Sequence, residues 1–147
     1  MRLITVDTFA IGDDEPADAK PYAILSHTWD QDEVLYADLQ DPEKARTMAG
    51  FSKIRGTCEQ AKRGRLKYAW VDTCCIDKSS SHELGCAINS MFRWYEAAEV
   101  CYVYLSDVAG VCRPPADCYG RLSEAEASRW YNAMAFGASR WFTRGWT

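Results

Sequence analysis

The chain has 147 residues, 48% of them apolar and 26% charged, with a net charge of −4. This composition excludes a disordered chain, and the weak acidity excludes the basic face of a nucleic-acid binder. No apolar run reaches the roughly 20 residues of a membrane span, and the first residues lack a signal peptide's long apolar stretch, so the chain reads as one cytoplasmic domain.

Leu3, Ile4 and Val6 predict a short first strand. Residues 11–21, with Gly, Asp, Pro and Lys, predict a loop. Tyr22-Ala23-Ile24-Leu25 predicts a buried strand that ends in the polar cluster Ser26-His27-Thr28. Val34, Leu35 and Leu39 fit one helical turn or an edge strand. Ile54, Cys58 and Ala61 recur at helical spacing, which predicts a helix over 51–63 stopped by Gly64. Tyr68 to Ile76 is a second apolar run, whose Trp70, Val71 and Ile76 suit a buried strand.

Ser80-x-x-Glu83 matches a capping box, with Glu83 as its acid. Leu84, Ala87, Ile88, Met91, Phe92, Tyr95 and Ala98 then mark one apolar helix face. Val100 to Leu105 is a third apolar run, closed by Ser106-Asp107. A loop over 109–120 follows, and Ser123-x-x-Glu126 predicts a last helix through Phe136. Strands and helices alternate, so the expected fold is α/β, a mainly parallel sheet of about four to five strands flanked by helices.

Seven cysteines without an export signal read as thiols rather than disulfides, with Cys58, Cys74, Cys86 and Cys101 as buried apolar residues. Cys112 and Cys118 flank a Pro-containing loop and are the less settled pair. No spacing suits a metal site, and no glycine-rich loop marks a phosphate cradle. Six Trp and eight Tyr, as in Arg129-Trp130-Tyr131 and Arg140-Trp141, fit packing better than base stacking.

Ligands in open parallel sheets bind beyond the carboxyl ends of the strands. The residues expected there are Ser26, His27 and Trp29, then Asp72, Cys74, Cys75 and Asp77, then Ser106 and Asp107. The bland reading of Asp77, Ser106 and Asp107 is that they cap turns. A His27–Cys75 or His27–Cys74 nucleophile pair is the enzymatic reading of the cluster. Buried structural cysteines are the commoner alternative.

The longer motifs resemble one family. Tyr22-Ala23-Ile24-Leu25-Ser26-His27-Thr28-Trp29, with Glu33-Val34 after it, is similar to the opening motif of the fungal heterokaryon incompatibility (HET) domain. Gly50-Phe51-x-Lys53-Ile54 and Tyr68-Ala69-Trp70-Val71-Asp72-Thr73-Cys74-Cys75-Ile76-Asp77-Lys78 resemble its central motif. Ser81-x-Glu83-Leu84 with Ala87-Ile88-Asn89-Ser90-Met91-Phe92, Cys101 to Val108, and Ser139 to Thr147 resemble its later segments.

The resemblance implies a HET domain over 22–147, with residues 1–21 as a strand and loop leading in. It implies a flavodoxin-like fold related to the Toll/interleukin-1 receptor (TIR) domain. The implied role is an effector of non-self recognition and programmed cell death, acting through self-association or a protein partner. The alternatives are a TIR-like enzyme with NAD as substrate, or an inactive truncated fragment. Thr147 precedes the Gln-Glu-Leu carboxylate of the family pattern, so the expected sheet is incomplete at its C-terminal side. Glu83 is the carboxylate left to substitute, and His27, Asp72 and Cys75 are the other catalytic candidates. Asp30 stands where the family pattern has Gly, and Gly85-Cys86 where it has a polar residue and Glu.

Overall fold

Tyr22–His27 forms the central strand of the domain, and all six of its residues are buried. The fold around it is seen in a computed structural model that describes residues 1–12, 20–108, 125, 129 and 135–143. The elements are β1 (Ile4–Thr5), β2 (Tyr22–His27), α1 (Tyr36–Leu39), α2 (Pro42–Arg46), α3 (Phe51–Arg63), β3 (Tyr68–Trp70), α4 (Ser81–Ala97) and β4 (Val100–Tyr104). They form an α/β fold with a four-stranded sheet in the order β1-β3-β2-β4. The chain divides into two units, Met1–Val103 and Tyr104–Thr147.

β2 and β3 run parallel, with Tyr22 opposite Tyr68 and Ile24 opposite Trp70. β1 pairs antiparallel to β3, so the sheet expected to be mainly parallel is mixed. The segment after β1 doubles back, with Ile11 bridged to Ile4.

α3 packs on β2 and β3. Its small buried residues Cys58 and Ala61 let the helix come close to the sheet. Gly56 costs little, because a Cβ there meets open space. Gly50, just before α3, is different. A Cβ at that position would lie 2.4 Å from the Asp32 carbonyl oxygen and 2.8 Å from the Glu33 Cα. Both obstacles are backbone, so neither yields cheaply. Gly50→Ala is expected to destabilise the fold by about 1–3 kcal/mol, measured as a fall in the urea midpoint at unchanged slope.

The second apolar run is a strand only as far as Trp70. Beyond it the backbone turns, and the Cys74 and Cys75 amides both donate to the Val71 carbonyl. The polar residues Asp72 and Thr73 sit in that turn, where an extended apolar strand would have no use for them. α2 was not foreseen, although Asp41 accepts from the Lys44 amide as N-cap and Pro42 opens the helix.

α4 meets the sheet through aromatic residues. Trp70 lies edge-on to Trp94 at 5.5 Å and to Tyr95 at 6.2 Å between ring centroids. The Tyr95 hydroxyl donates to the Leu25 carbonyl at 3.1 Å, and the Tyr22 hydroxyl donates to the Trp94 carbonyl. Burial pushes the Tyr22 phenol up to about 12. The predicted apolar face is wider than the core that receives it. Ala87 is buried, and Leu84, Met91, Trp94, Tyr95 and Ala98 are partly so. Ile88 and Phe92, one turn apart, are 55% and 73% exposed.

Cys86 and Cys101 are also exposed, against the expectation that they are core thiols, while Cys58, Cys74 and Cys75 are buried. Position 86 lies beside the buried Ala87 stripe rather than on it. In β4, Cys101 shares its outward alternation with the exposed Val103.

In the second unit, residues 135–137 are helical and Arg140–Thr143 form a 3-10 turn. The Phe142 ring lies 4.8 Å from Phe136 and 4.9 Å from Trp141. Most of the 11–21 loop, the 109–120 loop, Cys112, Cys118, Ser123, Glu126, Trp130 and Tyr131 lie outside the described residues.

Candidate functional site

The ends of β2 and β3 meet, as their parallel pairing requires. The His27 ring extends from the last residue of β2, and its side chain is 1% exposed. His27 Nε2 lies 3.0 Å from Asp72 Oδ1. The Trp29 indole N–H donates to the other carboxylate oxygen of Asp72 at 2.9 Å. Lys78 Nζ donates to the Asp72 and Thr73 carbonyls at 3.0 and 3.2 Å and sits 4.0 Å from the centroid of the Trp29 ring. Burial lowers the Lys78 ammonium below its ordinary range, and the Asp72 charge opposes that shift.

A second layer lies behind His27. Lys53 is a 5% exposed side chain from α3, paired with the 7% exposed side chain of Glu33. Its ammonium also donates to the Thr28 carbonyl at 2.9 Å and pairs with Asp30 at 2.8 Å. Glu33 Oε1 accepts the Asp30 amide at 2.7 Å and lies 3.9 Å from His27 Nδ1. Asp30, the residue that stands in a glycine position of the motif, thus closes the turn after Trp29 through Lys53. Lys53 escaped the sequence reading as a site residue. Its signal is a charge on the buried side of α3, one turn before the buried Thr57.

His27, Trp29 and Asp72 therefore meet beyond the ends of β2 and β3, and Ser26 is a buried residue of β2 itself. Asp72 holds the imidazole by one oxygen while Trp29 fixes the other, an arrangement that orients a histidine. The ring is enclosed, so the geometry ties the two strand ends together rather than presenting a base to solvent.

Cys74 and Cys75 take a different part. The Val71 amide donates to Cys75 Sγ at 3.4 Å, and the Cys74 thiol contacts the Val71 carbonyl at 3.9 Å. Burial and the adjacent Cys75 push the Cys74 thiol well up. A buried neutral thiol held to backbone is a packing group, since the nucleophile is the thiolate. Asp77 Oδ1 accepts both the Ser79 amide and hydroxyl, at 3.0 and 2.6 Å, and Ser79 holds the carboxyl below its usual range. That is turn capping.

In the second unit, Asp107 accepts the Ser139 hydroxyl and the Arg140 amide, each at 2.7 Å, and these bonds lower its carboxyl. Ser106 accepts from the Arg140 guanidinium at 3.2 Å. Ser106 and Asp107 thus form a cluster of their own with Ser139 and Arg140.

Glu83 is only half of a capping box. Its amide donates to Ser80 Oγ at 3.2 Å. Its carboxylate instead accepts the Asp77 amide at 2.8 Å and a two-pronged ion pair from Arg2, one arm of which is 2.8 Å. The Arg2 guanidinium holds the Glu83 carboxyl below its ordinary value of 4.5. The unfolded chain therefore takes up the proton first as pH falls. The stability this pair contributes is full above about pH 4.5 and is lost as pH drops through the lower folded-state value. Glu83→Gln is expected to flatten the acid limb of the stability curve, read by urea midpoints between about pH 6 and 3.

A cavity of about 100 Å³ opens beside that pair, lined by Arg2, Cys75, Glu83, Cys86, Ser90 and Trp94 among others. It has room for roughly three waters. Ligand pockets usually start at about 300 Å³. No group of three or more His, Cys, Asp or Glu among the described residues is arranged to hold a metal ion. No described helix is long and apolar enough to cross a membrane.

A family model described as heterokaryon incompatibility protein (HET) matches residues 22–147. The vegetative incompatibility protein HET-E-1 of Podospora anserina is 54% identical over 129 residues, which is 86% of this chain. The match spans 9% of that protein's own length. No solved structure matches the chain significantly.

Proposed function

The chain belongs to the heterokaryon incompatibility family, and from that premise we propose that it is an effector module of fungal non-self recognition and programmed cell death. It works by protein contact, through self-association or a partner. One observation carries the contact reading. α4 presents Ile88 and Phe92 to solvent, and Val103 on β4 is 46% exposed. Ile88 and Phe92 stand one turn apart on the same helix face, and adjacent exposed apolar side chains of this size mark contact surfaces.

The chemistry of the strand-end cluster points the same way. Its histidine is enclosed, its Asp72 carboxylate is shared between His27 and Trp29, and its thiols are buried. The NAD-cleaving alternative rests on Glu83, whose carboxylate is occupied by Arg2 and the Asp77 amide beside a cavity far smaller than a dinucleotide. The fold reading that accompanies the proposal is flavodoxin- or TIR-like, supported by the parallel pair β2–β3 joined through α3. The domain is read as 22–147, and the cytoplasm as its compartment. The free thiols of the described cysteines suit that reducing compartment.

The test is inducible expression in a filamentous fungal host. Viability of expressing cells is expected to fall while their NAD content holds steady until death. Unchanged viability overturns the effector reading, and a collapse of NAD ahead of death overturns the contact reading in favour of the enzyme.

A further inference from the structure

α4 carries a thiol–imidazole pair that the strand-end cluster does not involve. Cys86 Sγ lies 3.7 Å from His82 Nε2, one helical turn earlier, and both residues are exposed. Cys86 also lines the small cavity next to Arg2, Glu83 and Ser90. The buried thiols of the first unit, Cys58, Cys74 and Cys75, are poorly placed to react. Burial pushes Cys58 up to about 12, keeps Cys74 well up, and raises Cys101 as well.

We propose that Cys86 is a thiol-modification site that takes mixed-disulfide adducts from low-molecular-weight disulfides, with His82 accepting the thiol proton. In the tautomer that carries its ring proton on Nδ1, the proton passes from Sγ to His82 Nε2. The thiolate attacks one sulfur of the small disulfide. A bond forms between Cys86 Sγ and that sulfur as the original S–S bond breaks. The departing thiolate takes the proton back from the imidazolium. One disulfide is exchanged for another, so no outside oxidant or reductant is needed. The cavity beside Cys86 gives room for a small polar part of the adduct. A Cys next to a His on an exposed helix surface is the kind of environment in which thiols react selectively.

The test uses the purified chain with glutathione disulfide as probe and peptide mapping at each cysteine over time. Cys86 is expected to form its adduct about tenfold faster than Cys101, the other exposed described thiol. His82→Ala is expected to lower that ratio several-fold. Cys101 serves as an internal control, because any general loosening of the fold raises its rate too. A Cys86 rate at or below that of Cys101 overturns the proposal, as does a ratio that His82→Ala leaves unmoved.

Discussion

Lys53→Ala is expected to destabilise the domain by about 3–5 kcal/mol. The Lys53 and Glu33 side chains are 5% and 7% exposed, so the pair is cut off from most solvent screening. Removing the ammonium leaves Glu33 as a buried carboxylate without its cation, and it also leaves the Thr28 carbonyl without its 2.9 Å donor. The loss of one partner is the costly case, because the other charge keeps its desolvation penalty. A melting temperature lower by roughly 10 °C follows for a chain of this size. The double variant Lys53→Met with Glu33→Leu is expected to recover much of the loss, since it removes both charges and keeps the volume. Urea midpoints of the three proteins check this. Equal stability of Lys53→Ala and the parent would mean that the pair contributes nothing.

Asp72→Ala comes next, at about 2–4 kcal/mol. One carboxylate oxygen faces His27 Nε2 and the other accepts from Trp29, so alanine strands the buried His27 nitrogen and removes the acceptor of the exposed Trp29 N–H. The link between the ends of β2 and β3 goes with them. Asp72→Asn keeps an acceptor for Trp29 and an uncharged group for His27, and is expected to cost about 1 kcal/mol. Chemical denaturation separates the two variants. A loss on Asp72→Asn as large as on Asp72→Ala would show that charge, rather than hydrogen bonding, holds the strand ends together.

The sequence carried the parts of this fold that repeat. The helix over 51–63 was legible from Ile54, Cys58 and Ala61 at helical spacing, and β2 from a four-residue apolar run. The meeting of His27 and Asp72 followed from two parallel strands that each end in polar residues. Features set by single contacts were not legible. β1 is two residues long and takes its direction from the hairpin to Ile11, which no periodicity reports. The turn after Trp70 hides inside an apolar run, because Cys74, Cys75 and Ile76 pack as core while their backbone turns. Glu83 has the right spacing for a capping box, yet its carboxylate goes to Arg2, 81 positions away. Lys53 resembles any helix lysine until Glu33 and Asp30 are brought against it. The apolar stripe of α4 predicts a buried face, and only packing shows that Ile88 and Phe92 fall outside it.

That exposed face carries the contact account, and it yields the most direct measurement. The Ile88→Asp and Phe92→Asp double variant adds two charges where the parent already meets water, so its melting temperature is expected to stay close to the parent's. Viability of fungal cells expressing the double variant, compared with the parent at equal protein level, is the deciding quantity. The contact account predicts that the folded double variant no longer kills. Killing undiminished in a folded double variant would contradict it.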